Sequence, residues 1–143
     1  MKLSKIYFFS LIIFSILFLN NCLSCDDCNI SPAPKQLKVM NSSGKNLIFG
    51  SSKIYEPIDI IIKNNLNETV EFYTNNDNQT IDFTFSVSAD TYYIFLTSSA
   101  KETIRFTYGK DKNIDCCNEF DVTKTTTVNG IAVSNDDLIT IVK

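Results

Sequence analysis

Residues 81–87 read IDFTFSV, and their apolar members Ile81, Phe83, Phe85 and Val87 recur at every second position. A period of two places those four side chains on one face of a pleated strand, with Asp82, Thr84 and Ser86 on the other. No stretch after residue 24 carries apolar residues at the i, i+3, i+4, i+7 spacing of a helix over a useful length. The chain therefore has to bury its apolar surface as sheet against sheet.

The same logic extends along the chain. Residues 37–40 begin the domain and stop at the turn cluster Asn41-Ser42-Ser43-Gly44, and residues 47–49 form a short apolar run. In residues 58–63, Ile58, Ile60 and Ile62 share a face; in 70–74, Val70 and Phe72 point inward; in 103–108, Ile104, Phe106 and Tyr108 do. Residues 91–97, TYYIFLT, are apolar on both faces. They form either a central strand covered on both sides or a strand that shows an aromatic face. Asn129-Gly130 lies between β-formers and suits the two positive-φ positions of a type I′ turn, which predicts a hairpin. Residues 138–142 close the domain. The sum is an all-β sandwich of about eight strands, immunoglobulin-like or transthyretin-like, over residues 36–143. A closed barrel is the alternative.

The first 24 residues are an address. Lys2 and Lys5 precede an uncharged apolar run from residue 6 to 19, and polar Asn20 and Asn21 follow it. A bilayer-spanning helix needs about 20 mainly apolar residues, so a cleaved export signal fits better. Ser24 is small enough to precede the cut, which leaves Cys25 at the new N-terminus. Residues 25–35 contain Pro32 and Pro34 and form a stiff, extended tether.

Cys25-Asp26-Asp27 after Ser24, with Ser43-Gly44-Lys45-Asn46-Leu47, Pro57-Ile58-Asp59-Ile60, residues 104–108, Cys116-Cys117 and Val128-Asn129-Gly130, resembles small Bacteroidota-type surface lipoproteins. The resemblance departs at Cys22, where an aliphatic residue is usual. It implies a lipid on Cys25, attachment to the outer membrane with the domain exposed at the cell surface, and no catalytic residues. The competing reading is an ordinary secretory signal cut after Ser24, with Cys25 left as a thiol or disulfide partner. Each buried CH₂ contributes about 0.8 kcal/mol and one acyl chain holds only marginally. The three chains that the resemblance implies would hold firmly.

Composition narrows the chemistry. Without residues 1–24, which hold two lysines and no acid, 119 residues remain with 11 basic against 16 acidic side chains, a net charge of −5. No basic run gives nucleic acid a footprint. Histidine and tryptophan are absent, which removes the usual general base, the commonest metal ligand and the strongest stacking platform. The composition points to no enzyme and no cofactor.

Cysteine is the main reactive candidate. Cleavage before Cys25 breaks up the Cys22-x-x-Cys25-x-x-Cys28 spacing, so a thiolate metal site is not expected. If Cys25 is acylated, Cys28, Cys116 and Cys117 remain. Adjacent residues of an extended strand face opposite ways, so only one of Cys116 and Cys117 could meet Cys28. Such a bridge would stabilise by roughly 4–5 kcal/mol in the chain-entropy model. A vicinal Cys116–Cys117 bridge or free thiols are the other outcomes. Asp111, Asp115, Glu119 and Asp121 do not follow the spacing of a calcium loop. Asp90-Thr91-Tyr92 resembles the Bacteroidota O-glycosylation site and makes Thr91 a modification candidate. Tyr92, Tyr93 and Phe95 are either core or a platform for a sugar or protein.

The function expected is a non-enzymatic, lipid-anchored envelope protein with a binding or structural role. One alternative is an accessory subunit of a surface complex for adhesion or glycan uptake; another is a secreted hydrolase working through two carboxylates.

Overall fold

The computed structural model describes residues 34–111 and 120–143. Among them, ten strands run in chain order: β1 (Lys35–Met40), β2 (Ile61–Asn64), β3 (Thr69–Val70), β4 (Phe72–Asn75), β5 (Thr80–Phe83), β6 (Thr91–Phe95), β7 (Lys101–Asp111), β8 (Phe120–Val128), β9 (Ile131–Val133) and β10 (Leu138–Val142). They form a four-stranded sheet ordered β10-β1-β5-β4 and a six-stranded sheet ordered β3-β2-β6-β7-β8-β9. The two sheets make the all-β sandwich that the alternation predicts.

The core lies between them. Leu37 and Val39 of β1, Ile81 and Phe83 of β5, and Ile139 and Ile141 of β10 come from one sheet. Ile62 of β2, Tyr92 and Ile94 of β6, and Ile104 and Phe106 of β7 come from the other. The aromatic rings meet across the gap: Phe83 lies 5.8 Å from Tyr92, and Phe85 stacks 5.1 Å from Phe106. Most neighbours are antiparallel, but β1 and β10 pair in parallel, with Gln36 opposite Leu138 and Met40 opposite Val142.

Several local expectations change. β5 ends at Phe83, so Val87 is 46% exposed while Phe85 and Ala89 still reach the core. Pro57 starts a single 3-10 turn, Pro57–Asp59, because its fixed φ suits a first helical position. That turn swings Ile58 into water, 92% exposed, while Ile60 and Ile62 are buried as expected. Residues 70–74 are two strands: β3 belongs to the six-stranded sheet and β4 to the other, so the chain changes sheets at Glu71. Leu47 and Ile48 fill the core from a loop, not from a strand. The Asn46 side-chain oxygen accepts from Ile48 N–H (2.9 Å) and Phe49 N–H (3.1 Å), which supplies the bonds a ladder would otherwise give.

Residues 1–33 and 112–119 lie outside the described residues, and with them the expected signal and most of the expected tether. Cys25, Cys28, Cys116, Cys117, Asp115 and Glu119 fall in those segments. Among the described residues no helix is long and apolar enough to cross a membrane.

Candidate functional site on the outer face of the six-stranded sheet

β6 is paired on both sides, with β2 and with β7, and it is amphipathic in an unusual way. Tyr92 and Ile94 are buried in the core. Thr91, Tyr93 and Phe95 point the other way and are half-buried on the outer face. Of the two arrangements expected for residues 91–97, the strand showing an aromatic face is the one formed by the described residues.

Register places the neighbours of these rings. Lys63 lies opposite Tyr93, and Ile61 lies opposite Phe95 on the β2 side. On the β7 side, Thr103 faces Tyr93, Lys101 faces Phe95 and Arg105 faces Thr91. Ile61 keeps 46% of its surface in water. The Lys101 ammonium sits 4.9 Å from the centroid of the Tyr93 ring, within cation–π range. Beyond Arg105 the face becomes a threonine patch, where Thr107 and Thr125 hydroxyls bond at 2.6 Å.

A register shift between Thr107 and Tyr108 makes Lys124 an extra residue in β8. The Lys124 stem then lies over Gly109, where an added Cβ would come within 2.7 Å of it. This face therefore gathers Lys63, Lys101, Arg105 and Lys124 in a chain that carries more acids than bases.

Asp90 stands at the margin. It accepts from the Thr91 hydroxyl at 2.7 Å and from Asn65 Nδ2 at 3.2 Å, and it pairs with Arg105 at 3.4 Å. The Thr91 hydrogen bond holds its carboxyl below the usual range; burial opposes this, and Arg105 lowers it further. A shallow, open depression of about 680 Å³ lies beside this pair, lined by Asp90, Arg105, Thr107, Tyr108, Thr127 and Gly130. Thr91, the O-glycosylation candidate, thus has its hydroxyl engaged at the edge of the depression.

Two carboxylates elsewhere serve the framework. Glu102 is 4% exposed, pairs with Lys143 and accepts from Asn129 Nδ2 at 2.5 Å. Asp82 accepts from Thr80 at 2.6 Å and from Asn75 at 3.1 Å. Asp111 and Asp121, flagged in the sequence, sit at the far end of the β7–β8 pair, where Asp121 bonds Lys110 at 2.9 Å. Among the described residues no group of three or more His, Cys, Asp or Glu side chains could hold a metal ion.

Sequence reasoning found Tyr93 and Phe95 but missed the cations around them. Lys63, Lys101, Arg105 and Lys124 come from three strands, β2, β7 and β8, and only sheet register brings them together. No protein-family model, curated protein or solved structure matches this chain.

Proposed function

We propose that this chain is a non-enzymatic envelope protein, anchored by lipid at Cys25, whose sandwich presents the outer face of the six-stranded sheet to an acidic glycan. One observation carries the reading: half-buried Tyr93 and Phe95 are flanked by Lys63, Lys101 and Arg105 on a single uncovered face among the described residues. An aromatic ring offers a flat apolar surface to the C–H face of a sugar, and the ammonium and guanidinium groups suit uronate carboxylates. A flat sheet face with a shallow depression also suits an extended polymer better than an enclosed small molecule.

Affinity electrophoresis through polygalacturonate, with neutral mannan as control, tests the face. Retardation by polygalacturonate alone is expected, weakening as salt is raised because exposed charges are screened. The Lys63→Glu/Lys101→Glu variant should migrate as it does without glycan. Equal migration of wild type in both gels would sink the glycan reading. Mass spectrometry of the N-terminal peptide tests the anchor separately, and an unacylated Cys25 would remove it.

A further inference from the structure

Among the described residues the two sheets leave four edges, and two of them are blunted by being very short. β3 has two residues and β9 has three. β4 has four residues, FYTN, in unbroken register with β5. β10 is LITIV, with no proline and no charge, and its register with β1 runs unbroken from Leu138 to Val142.

The backbone parity of β10 follows from two bonds at its ends. Gln36 N–H donates to Asp137 O at 2.7 Å, and Lys143 N–H donates to Met40 O at 2.9 Å. The N–H and C=O of one strand residue point to the same side, so odd-numbered residues from 137 to 143 serve β1. Leu138, Thr140 and Val142 therefore direct their backbone groups to the free edge. Their side chains lie on the outer face and are exposed, 40% for Leu138 and 65% for Val142. Among the described residues β10 pairs with β1 alone.

We propose that this edge is where a second copy of the chain docks. The two β10 strands pair antiparallel about a two-fold axis at Thr140, and the four-stranded sheets merge into one of eight strands. The occupant is a second copy because the edge complements itself. In this register Thr140 faces Thr140, and Leu138 of each copy faces Val142 of the other. All three are hydrogen-bonded pairs, so every outward N–H and C=O between 138 and 142 gains a partner. The same register sets Asp137 of each copy opposite Lys143 of the other. Asp137 already bonds Lys35 at 2.9 Å and Lys143 already bonds Glu102, so each rim would join two ion pairs into a network. On the outer face Leu138 and Val142 cover each other's apolar surface.

The test is native mass spectrometry of the full-chain product released from detergent, with circular dichroism melts to confirm that each variant is folded. Wild type should be dimeric. Leu138→Lys/Val142→Lys puts like charges opposite each other and should weaken the dimer ~10-fold or more, to monomer. Leu138→Lys/Val142→Glu puts opposite charges in the same two places and should stay dimeric. A monomeric wild type overturns the proposal. A Lys/Lys variant as dimeric as wild type moves the interface elsewhere and overturns it too, and a monomeric Lys/Glu variant overturns the register.

Discussion

At the scale of single residues, two tyrosines hold the segment between β5 and β6. The Tyr92 hydroxyl accepts from Ser86 N–H at 2.6 Å and lies 3.2 Å from Ser86 O as donor. The Tyr108 hydroxyl donates to Ala89 O at 2.9 Å. Tyr92→Phe keeps the ring and its packing on Phe83 but leaves the Ser86 amide without this partner. A loss of about 1–2 kcal/mol in urea unfolding is expected. Burial pushes both phenols above their ordinary range. In the unfolded chain they ionise near pH ~10, whereas the folded protein keeps them neutral. Stability is therefore complete below that pH and falls as pH rises above it. Thermal melts across the alkaline range, flattened in a Tyr92→Phe/Tyr108→Phe variant, check this. Asp90 has the opposite sign: its lowered pKa contributes stability above about pH 4 that is lost as the carboxylate protonates on acidification. Thr91→Val should raise the Asp90 pKa, read by NMR titration.

At the scale of an element, the β8–β9 hairpin is the clearest case of local sequence setting local structure. Asn129 and Gly130 have φ of 51° and 82°, and Val128 pairs directly with Ile131. These are the positive values that a two-residue type I′ turn requires. Gly130→Val should cost about 1–2 kcal/mol, because a β-branched L-residue is strained there. Asn129 does more than turn the chain. Its N–H donates to Thr103 O at 2.8 Å, and its side-chain oxygen accepts from Thr103 N–H at 2.9 Å. The hairpin tip is thereby tied to β7. Gly109→Ala makes a useful contrast: the clash falls on the flexible Lys124 stem, so equilibrium unfolding should register little change.

At the scale of the whole molecule, ion pairs at either end of β10 tie the rims of the sandwich. Lys35, 5% exposed, bonds Asp137 beside the start of β10. Lys143 follows β10 and reaches across to buried Glu102 in the opposite sheet. Lys143→Met leaves the Glu102 carboxylate buried without its cation. A loss of about 1–3 kcal/mol is expected in chemical denaturation, below the figure for a fully buried pair because Lys143 keeps part of its side chain in water. Deleting residues 138–143 removes Ile139 and Ile141 from the core, at about 1.5–3 kcal/mol each, along with a whole ladder of hydrogen bonds. That approaches the total stability of a domain this size. The truncated chain should lack a cooperative melt.

How much was legible follows from how far each cause reaches along the chain. The sequence by itself determined the all-β class, the inward faces of Ile60, Ile62, Ile81, Phe83, Ile104 and Phe106, and the turn at Asn129-Gly130. Each depends on a two-residue period or a dipeptide's backbone preference, which act between neighbours. Tertiary structure decided the rest. It ended β5 before Val87, turned Ile58 outward behind Pro57 and split residues 70–74 between two sheets. Only β-sheet register could set Lys63 and Lys101 around Tyr93, or lay β10 parallel to β1. Pairing between strands distant in sequence is chosen by the burial of both partners together, and no single segment carries that information.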